Sequence, residues 1–140
     1  MEIYSEDKLE KIRAFFSGDR YATATTGIEI LEAKDGYAKV GLAVHEGHMN
    51  AGNRVMGAVY YTMADFAFAV ASNPDAGDAP ITFTLSSQIN FLAAAKGKYL
   101  VAEARAVKKG RRTCFYEAEI RDEFGTLAAT VYSNGFKMDS

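Results

Sequence analysis

Residues 50–72 read NAGNRVMGAVYYTMADFAFAVAS. A loop carrying Asn50, Gly52 and Asn53 runs into a segment that is apolar almost all round, with one carboxylate, Asp65, in its middle and no lysine or arginine beside it. The segment predicts a helix over residues 57–72, and NPDAGDAP at 73–80 breaks it. A helix apolar on nearly every side must be covered on nearly every side. An open sheet reaches only part of such a surface, so either the sheet wraps the helix or a second subunit covers the rest.

The flanking sequence supplies the sheet. Residues 5–16 read as a short amphipathic helix capped by Ser5, with Glu6 and Asp7 at the positive end of its dipole and Leu9, Ile12, Phe15 and Phe16 as the apolar stripe. Residues 28–33 and 37–44 form a predicted hairpin about the KDG turn at 34–36, and residues 45–56 are loop. After the long helix come predicted strands at 81–92, 98–107, 113–122 and 126–137, joined in part by the turns KKGRR (108–112) and EFG (123–125). Alternation puts Leu100, Ala102, Ala104 and Ala106 on one face, and Cys114, Tyr116, Ala118 and Ile120 on another. The class is α+β: a mainly antiparallel sheet, one long apolar helix packed on it and a short N-terminal helix.

With 140 residues, 49% of them apolar, and a net charge of −2, the chain reads as one domain over 1–140 with one core. That balance gives no general affinity for nucleic acid or an anionic membrane. The single cysteine, Cys114, excludes an internal disulfide and a multi-cysteine metal site, and reads as strand packing. His45 and His48, with only Glu46 near them, lack a third metal ligand, so no metal is expected. There is no signal-peptide pattern and no uncharged apolar span of about 18 residues; the expected location is the cytoplasm.

Three fragments, HMNAGNRVMGAVYYTMADFAFAVASN (48–73), INFLAAAKGKYLVAEARAVKKGRRT (89–113) and DEFGTLAATVYSNGF (122–136), together resemble the hotdog-fold acyl-CoA thioesterases, in particular the PaaI-like, phenylacetyl-CoA-type branch. The resemblance implies a curved antiparallel sheet wrapped around the long helix, an acyl-CoA substrate with no further cofactor, and a homodimer that often pairs again into a homotetramer. It departs from the family where Met56–Gly57–Ala58 stand in place of the usual His-Gly-Gly, and where Ala93 to Ala95 replace a customary proline.

Thioester hydrolysis needs an oxyanion contact, an activated water or nucleophile, and a grip on coenzyme A. The leading N–H groups of the long helix lack intrahelical partners and lie at the positive end of its dipole. Gly57 leaves one of them unobstructed, and the resemblance gives Gly57 the oxyanion role. Asp65 serves either as general base or as nucleophile. Gly57 and Asp65 are eight residues apart on one helix, about 12 Å at 1.5 Å per residue, so both reach one carbonyl only if they come from different subunits. The resemblance aligns Asn50 and Thr84 with residues that orient the attacking water. It also places the turn of Lys109, Gly110, Arg111, Arg112 and Thr113, with Phe91 on the neighbouring strand, along the coenzyme A path, where Lys and Arg suit phosphate. Met56, Tyr60, Tyr61, Phe66 and Phe68 are candidate acyl-pocket lining.

Plainer roles stand beside these. Asp65 satisfied by a core hydroxyl, Gly57 as a close-packing helix start, Asn50 as an Asx-turn former, Thr84 as an ordinary strand threonine and 108–112 as a solvated turn are all consistent with the sequence. The alternative function is a non-catalytic acyl-CoA-binding protein. A hotdog dehydratase would need a histidine near the helix, which has none.

Overall fold

Small side chains decide how the long helix meets the sheet. In the computed structural model, which describes residues 2–75, 77, 78 and 81–138, that helix is α2 (Gly57–Ser72). Ala76, Ala79 and Pro80 of the 73–80 breaker lie outside the described residues. Ala64, Ala67 and Ala71 on α2 are buried, as are Ala38, Ala102, Ala104, Ala118 and Ala129 on the strands. With little between the two backbones, α2 contacts every strand of the sheet. Larger side chains fill the flanks: Met63, Phe66, Phe68 and Val70 from α2, Val40, Leu42, Leu100, Ile120 and Val131 from the strands. Each such burial contributes about 1.5–3 kcal/mol. Helix propensity differs among these residues by at most about 0.7 kcal/mol, so packing holds α2.

The strands are β1 (Glu29–Lys34), β2 (Tyr37–Ala43), β3 (Thr82–Phe91), β4 (Tyr99–Lys109), β5 (Thr113–Asp122) and β6 (Leu127–Lys137), all paired antiparallel in the order β1-β2-β4-β5-β6-β3. This is the curved antiparallel sheet around one long helix that the sequence leads one to expect. β4 runs on to Lys109, past the expected end at 107, because a register slip between Ala106 and Lys108 lets the ladder continue. The basic turn is correspondingly tighter, closed by Gly110 N–H donating to the Thr113 carbonyl at 2.8 Å.

The N-terminal helix α1 (Glu6–Phe16) is capped as expected: Ser5 Oγ accepts from Lys8 N–H at 3.3 Å. The Arg13 guanidinium donates through Nε (3.0 Å) and Nη2 (2.8 Å) to the Ile30 carbonyl, tying α1 to β1. Leu9, Ile12 and Phe16 are buried, but Phe15 is 40% exposed and does not belong to the buried stripe. Its ring meets Phe16 edge-on and lies against Gly77 instead. Between α1 and β1 the chain makes a π-helical turn (Tyr21–Thr26) that no apolar period announces.

β3 is an edge strand, and a bulge between Thr84 and Ser86 reverses its facing. Before it, Thr82 and Thr84 point at α2; after it, Ser87 bonds Ser133 Oγ (2.8 Å) and accepts from Tyr61 (3.2 Å) on the same side. Phe83, Leu85 and Phe91 stay exposed along this unpaired edge.

Asp122 ends β5 and holds two loops. Its carboxylate accepts from Lys96 N–H (2.8 Å), Phe124 N–H (2.9 Å) and Thr126 N–H (2.9 Å). Burial alone would push its pKa up, but these donors outweigh it and hold the carboxyl below the usual value. A depressed folded pKa stabilises above the unfolded pKa of about 3.9 and is lost as pH falls through the folded value. Asp122→Asn is therefore expected to lower the melting temperature at pH 7. The gap to the wild type should close below about pH 4, as thermal melts across pH will show.

Candidate active site

The bare side of α2 carries the carboxylate. Its buried residues leave one stripe partly or fully accessible: Ala58, Thr62, Asp65, Ala69 and Ser72, spaced three and four apart. Asp65 is thus not sealed in the core; it lies half-buried on this stripe, at the edge of the sheet. Its Oδ1 accepts from Thr84 Oγ1 at 2.8 Å. No donor meets Oδ2 among the described residues. The Thr84 hydroxyl, whose single proton is spent on Asp65, orients the carboxylate and has none to donate to a water.

Asp65, Tyr61 and Phe66 form one wall of a cavity of about 500 Å³. Asp19 and Arg20, leading into the π-helical turn, and Tyr21, its first residue, form another part of the wall. Burial, and then the charge of Asp65, push the Asp19 pKa up. Sequence reasoning missed this wall: YATATT at 21–26 has neither apolar period nor charge pattern, and only Gly18 and Gly27 bracket it.

The tip of α2 forms a second cluster. Asn50 Oδ1 accepts from Gly52 N–H (2.9 Å) and Arg54 N–H (3.1 Å), so Asn50 does build an Asx turn. That use fixes its amide: the oxygen faces the turn and only the NH2 is left to meet anything else. Asn53 takes a left-handed φ of 59°, and Met56 N–H donates to the His48 carbonyl at 2.9 Å. Met56, 52% exposed, is the N-cap of α2 and makes no side-chain cap bond. A Ser or Asp there would take an N–H of the first turn; Met leaves it open. No acceptor meets the Gly57 and Ala58 N–H groups among the described residues. Phe91, 60% exposed, lies across this tip, and a Cβ on Gly57 would come within 2.6 Å of its ring. A side chain at Gly57 would therefore have to displace the Phe91 ring.

The expected acyl lining divides. Tyr61 and Phe66 line the Asp65 cavity. Tyr60 is buried at the other flank, its hydroxyl accepting from Ala95 N–H at 3.2 Å. Met56 sits at the tip. Phe68 is 2% exposed and packs edge-on against Tyr116, inside the core.

Phe91 and the basic turn are not neighbours. β3 and β5 both pair with β6, which separates them, and the turn shares a small cleft with Ser72 and Thr82. Phe91 stands nine residues beyond Thr82, about 30 Å along an extended strand. Lys109 Nζ pairs with Asp35 Oδ2 at 3.1 Å, which fixes one side of the turn. Arg111, Arg112 and Thr113 are exposed. Burial pushes the Cys114 thiol pKa up, in keeping with packing. Among the described residues, no three His, Cys, Asp or Glu side chains converge on a metal position. No helix is long and apolar enough to cross a membrane, among the same residues.

Comparison with known proteins gives these parts a context. A sequence model of the thioesterase superfamily matches residues 52–129. A protein of Archaeoglobus fulgidus named "Putative esterase" is 39% identical over 108 residues, 74% of this chain and 68% of that protein. The solved structure of Escherichia coli PaaI, from the phenylacetic acid degradation operon, superposes with a TM-score of 0.82 at 22% identity, covering 94% of this chain and 96% of the other. A mutant form of the phenylacetic acid degradation protein PaaI of Thermus thermophilus superposes at 0.74 with 29% identity, covering 83% and 97%. A Streptococcus mutans protein bound to acetyl-CoA superposes at 0.73 with 20% identity, covering 81% and 90%.

Two carboxylates on one cavity make a direct test of its electrostatics. Asp65→Asn removes the like charge that Asp19 feels, so the Asp19 pKa should fall, while burial keeps it above the ordinary value. Carboxyl carbon chemical shifts followed through a pH titration measure the change.

Proposed function

The chain belongs to the thioesterase superfamily, and from that premise we propose that it hydrolyses an acyl-CoA thioester to a free acid and coenzyme A, in a site built by two copies of the chain. The observation that carries this reading is the Asp65 carboxylate: it is oriented by Thr84, has one oxygen that no donor meets among the described residues, and lines a cavity large enough for an acyl group.

The open N–H donors at the tip of α2 suit a thioester oxyanion, and removal of one such donor costs about 3–4 kcal/mol elsewhere. Tip and carboxylate are about 12 Å apart along one helix, so one chain alone does not make a site. Two features support pairing. Among the described residues no strand pairs with the outer edge of β3, which carries exposed Phe83, Leu85 and Phe91 beside Thr84, Ser86 and Gln88, and the stripe around Asp65 is partly accessible. Two β3 edges joined antiparallel about a two-fold axis lay two α2 helices side by side in opposite directions. Each Asp65 then faces the partner's Gly57.

In the base route, Asp65 Oδ2 takes a proton from water and the hydroxide adds to the thioester carbon. The partner's Gly57 N–H holds the oxyanion. Collapse expels the coenzyme A thiolate, which receives the proton back from Asp65. In the nucleophile route Oδ2 itself attacks, the thiolate leaves, and water then hydrolyses the mixed anhydride. Asn50 offers only its NH2 to the substrate or a water. Within one chain Phe91 and the basic turn lie at opposite ends of β3. In the pair, the partner's Phe91 and this chain's Arg111 and Arg112 come to flank one Asp65, and together they suit the pantetheine and phosphate portions.

Asp65→Asn keeps the Thr84 hydrogen bond but removes the base, and should lower kcat by about 10²–10⁴-fold on a panel of acetyl-, phenylacetyl- and octanoyl-CoA. Retention of turnover by this variant rejects the assignment. Tight coenzyme A binding by the wild type, without turnover on any thioester, favours the binding-protein alternative.

A further inference from the structure

His48 is a buried imidazole that the proposed chemistry does not use. It is 5% exposed, yet both ring nitrogens are engaged. Nδ1 accepts from the His45 backbone N–H at 3.0 Å, and Nε2 lies 2.7 Å from the Thr26 carbonyl. A ring nitrogen that accepts from a backbone N–H carries no proton. The ring proton therefore sits on Nε2, where it is donated to Thr26. The His45 ring stacks on His48 with centroids 3.8 Å apart, while its own Nδ1 accepts from Gly47 N–H at 3.0 Å.

The two ends of this arrangement reach opposite parts of the candidate site. Thr26 closes the π-helical turn whose first residues, Tyr21 and Ala22, line the Asp65 cavity. The chain leaves that turn through Gly27 at a φ of +93°, with Gly27 N–H and Ile28 N–H both donating to Ala22. The Thr26 carbonyl is thus a helix-end acceptor served by His48. On the other side, the His48 carbonyl accepts from Met56 N–H at 2.9 Å, one residue before the tip glycine. One residue connects the cavity wall to the start of α2, with His48 and Thr26 22 residues apart in sequence.

We infer that His48 is a positioning residue, which clamps the α2 tip to the cavity wall through Nε2–H and the Thr26 carbonyl and so sets where the Gly57 N–H stands. This rests on the thioesterase reading for its kinetic consequence, but the clamp itself does not. In a two-copy site the tip of one chain serves the partner's Asp65, so the clamp holds a wall of one site to the donor of the other.

The substitution pair that tests it separates the two ring nitrogens. His48→Gln places an amide NH2 near the Nε2 position, within reach of Thr26. His48→Asn keeps an acceptor near Nδ1 but falls short of Thr26. Charge on an oxyanion develops only in the transition state, so a displaced tip lowers kcat and spares KM. With phenylacetyl-CoA and octanoyl-CoA as substrates, His48→Asn should lose about tenfold in kcat, His48→Gln less than about threefold, and KM should stay within about twofold in both. The Gly57 amide resonance should move in His48→Asn and stay near its wild-type position in His48→Gln, and the wild-type imidazole ¹⁵N shifts should show the neutral Nε2–H form. Equal effects of the two variants, a rise in KM at constant kcat, or an Nδ1–H imidazole would overturn the inference. If the wild type turns over no thioester, the thioesterase reading fails alone, and the imidazole and Gly57 resonances still decide the clamp. If His48→Asn does not fold, the imidazole tautomer and the Gly57 amide of His48→Gln decide it.

Discussion

Alanines on both sides of the contact between α2 and the sheet let the helix settle into the curve of the strands until only one stripe of it is left uncovered. Asp65 stands on that stripe. A carboxylate in the covered part of the helix would lie in low dielectric without a charge partner. On the bare stripe it keeps a hydroxyl from Thr84, a cavity in front of it and a second carboxylate, Asp19, across that cavity. The helix therefore carries an acid because packing stops short at that position. The incomplete cover that admits the acid also leaves the chain with a surface to pair.

The helix start follows a related logic. Most helix N-termini satisfy their leading N–H groups with a capping side chain. Here Met56 caps nothing, Gly57 adds no side chain, and Phe91 roofs the tip without offering an acceptor. The open N–H groups at this helix end are the donors the proposed site draws on. The Asx turn of Asn50 and the His48 contacts fix the chain on its way in, so the open donors sit on a held backbone.

Much of this was legible in the sequence, for identifiable reasons. The bounds of α2 could be read from Gly57 and from the proline-bearing breaker, and β5 from its strict alternation. The roles of Asp65 and Gly57 could be posed because a lone carboxylate and a bare glycine are unusual on an apolar helix. Phe15 was misplaced because helical spacing alone cannot tell the buried edge of a stripe from its rim. The distance between Phe91 and the basic turn was hidden because strand order is a tertiary property: β3 joins the sheet beside β6, far from its sequence neighbour β4. The Asp19 to Tyr21 wall had no periodic signal at all. The same applies to the β3 bulge, which turns Thr84 onto Asp65 and then hands the inward positions to Ser87 and Ile89.

In the proposed site the carboxylate of one chain works with the helix tip of another. The most direct test of this sharing mixes chains carrying Asp65→Asn with chains carrying Gly57→Val, which drives a side chain into the Phe91 ring, and assays thioester turnover. A random mixture in which each site draws on both copies regains about a quarter of wild-type turnover, since half the pairs are mixed and each holds one intact site. A mixture no more active than the mean of its two parents rules out a site shared between two chains.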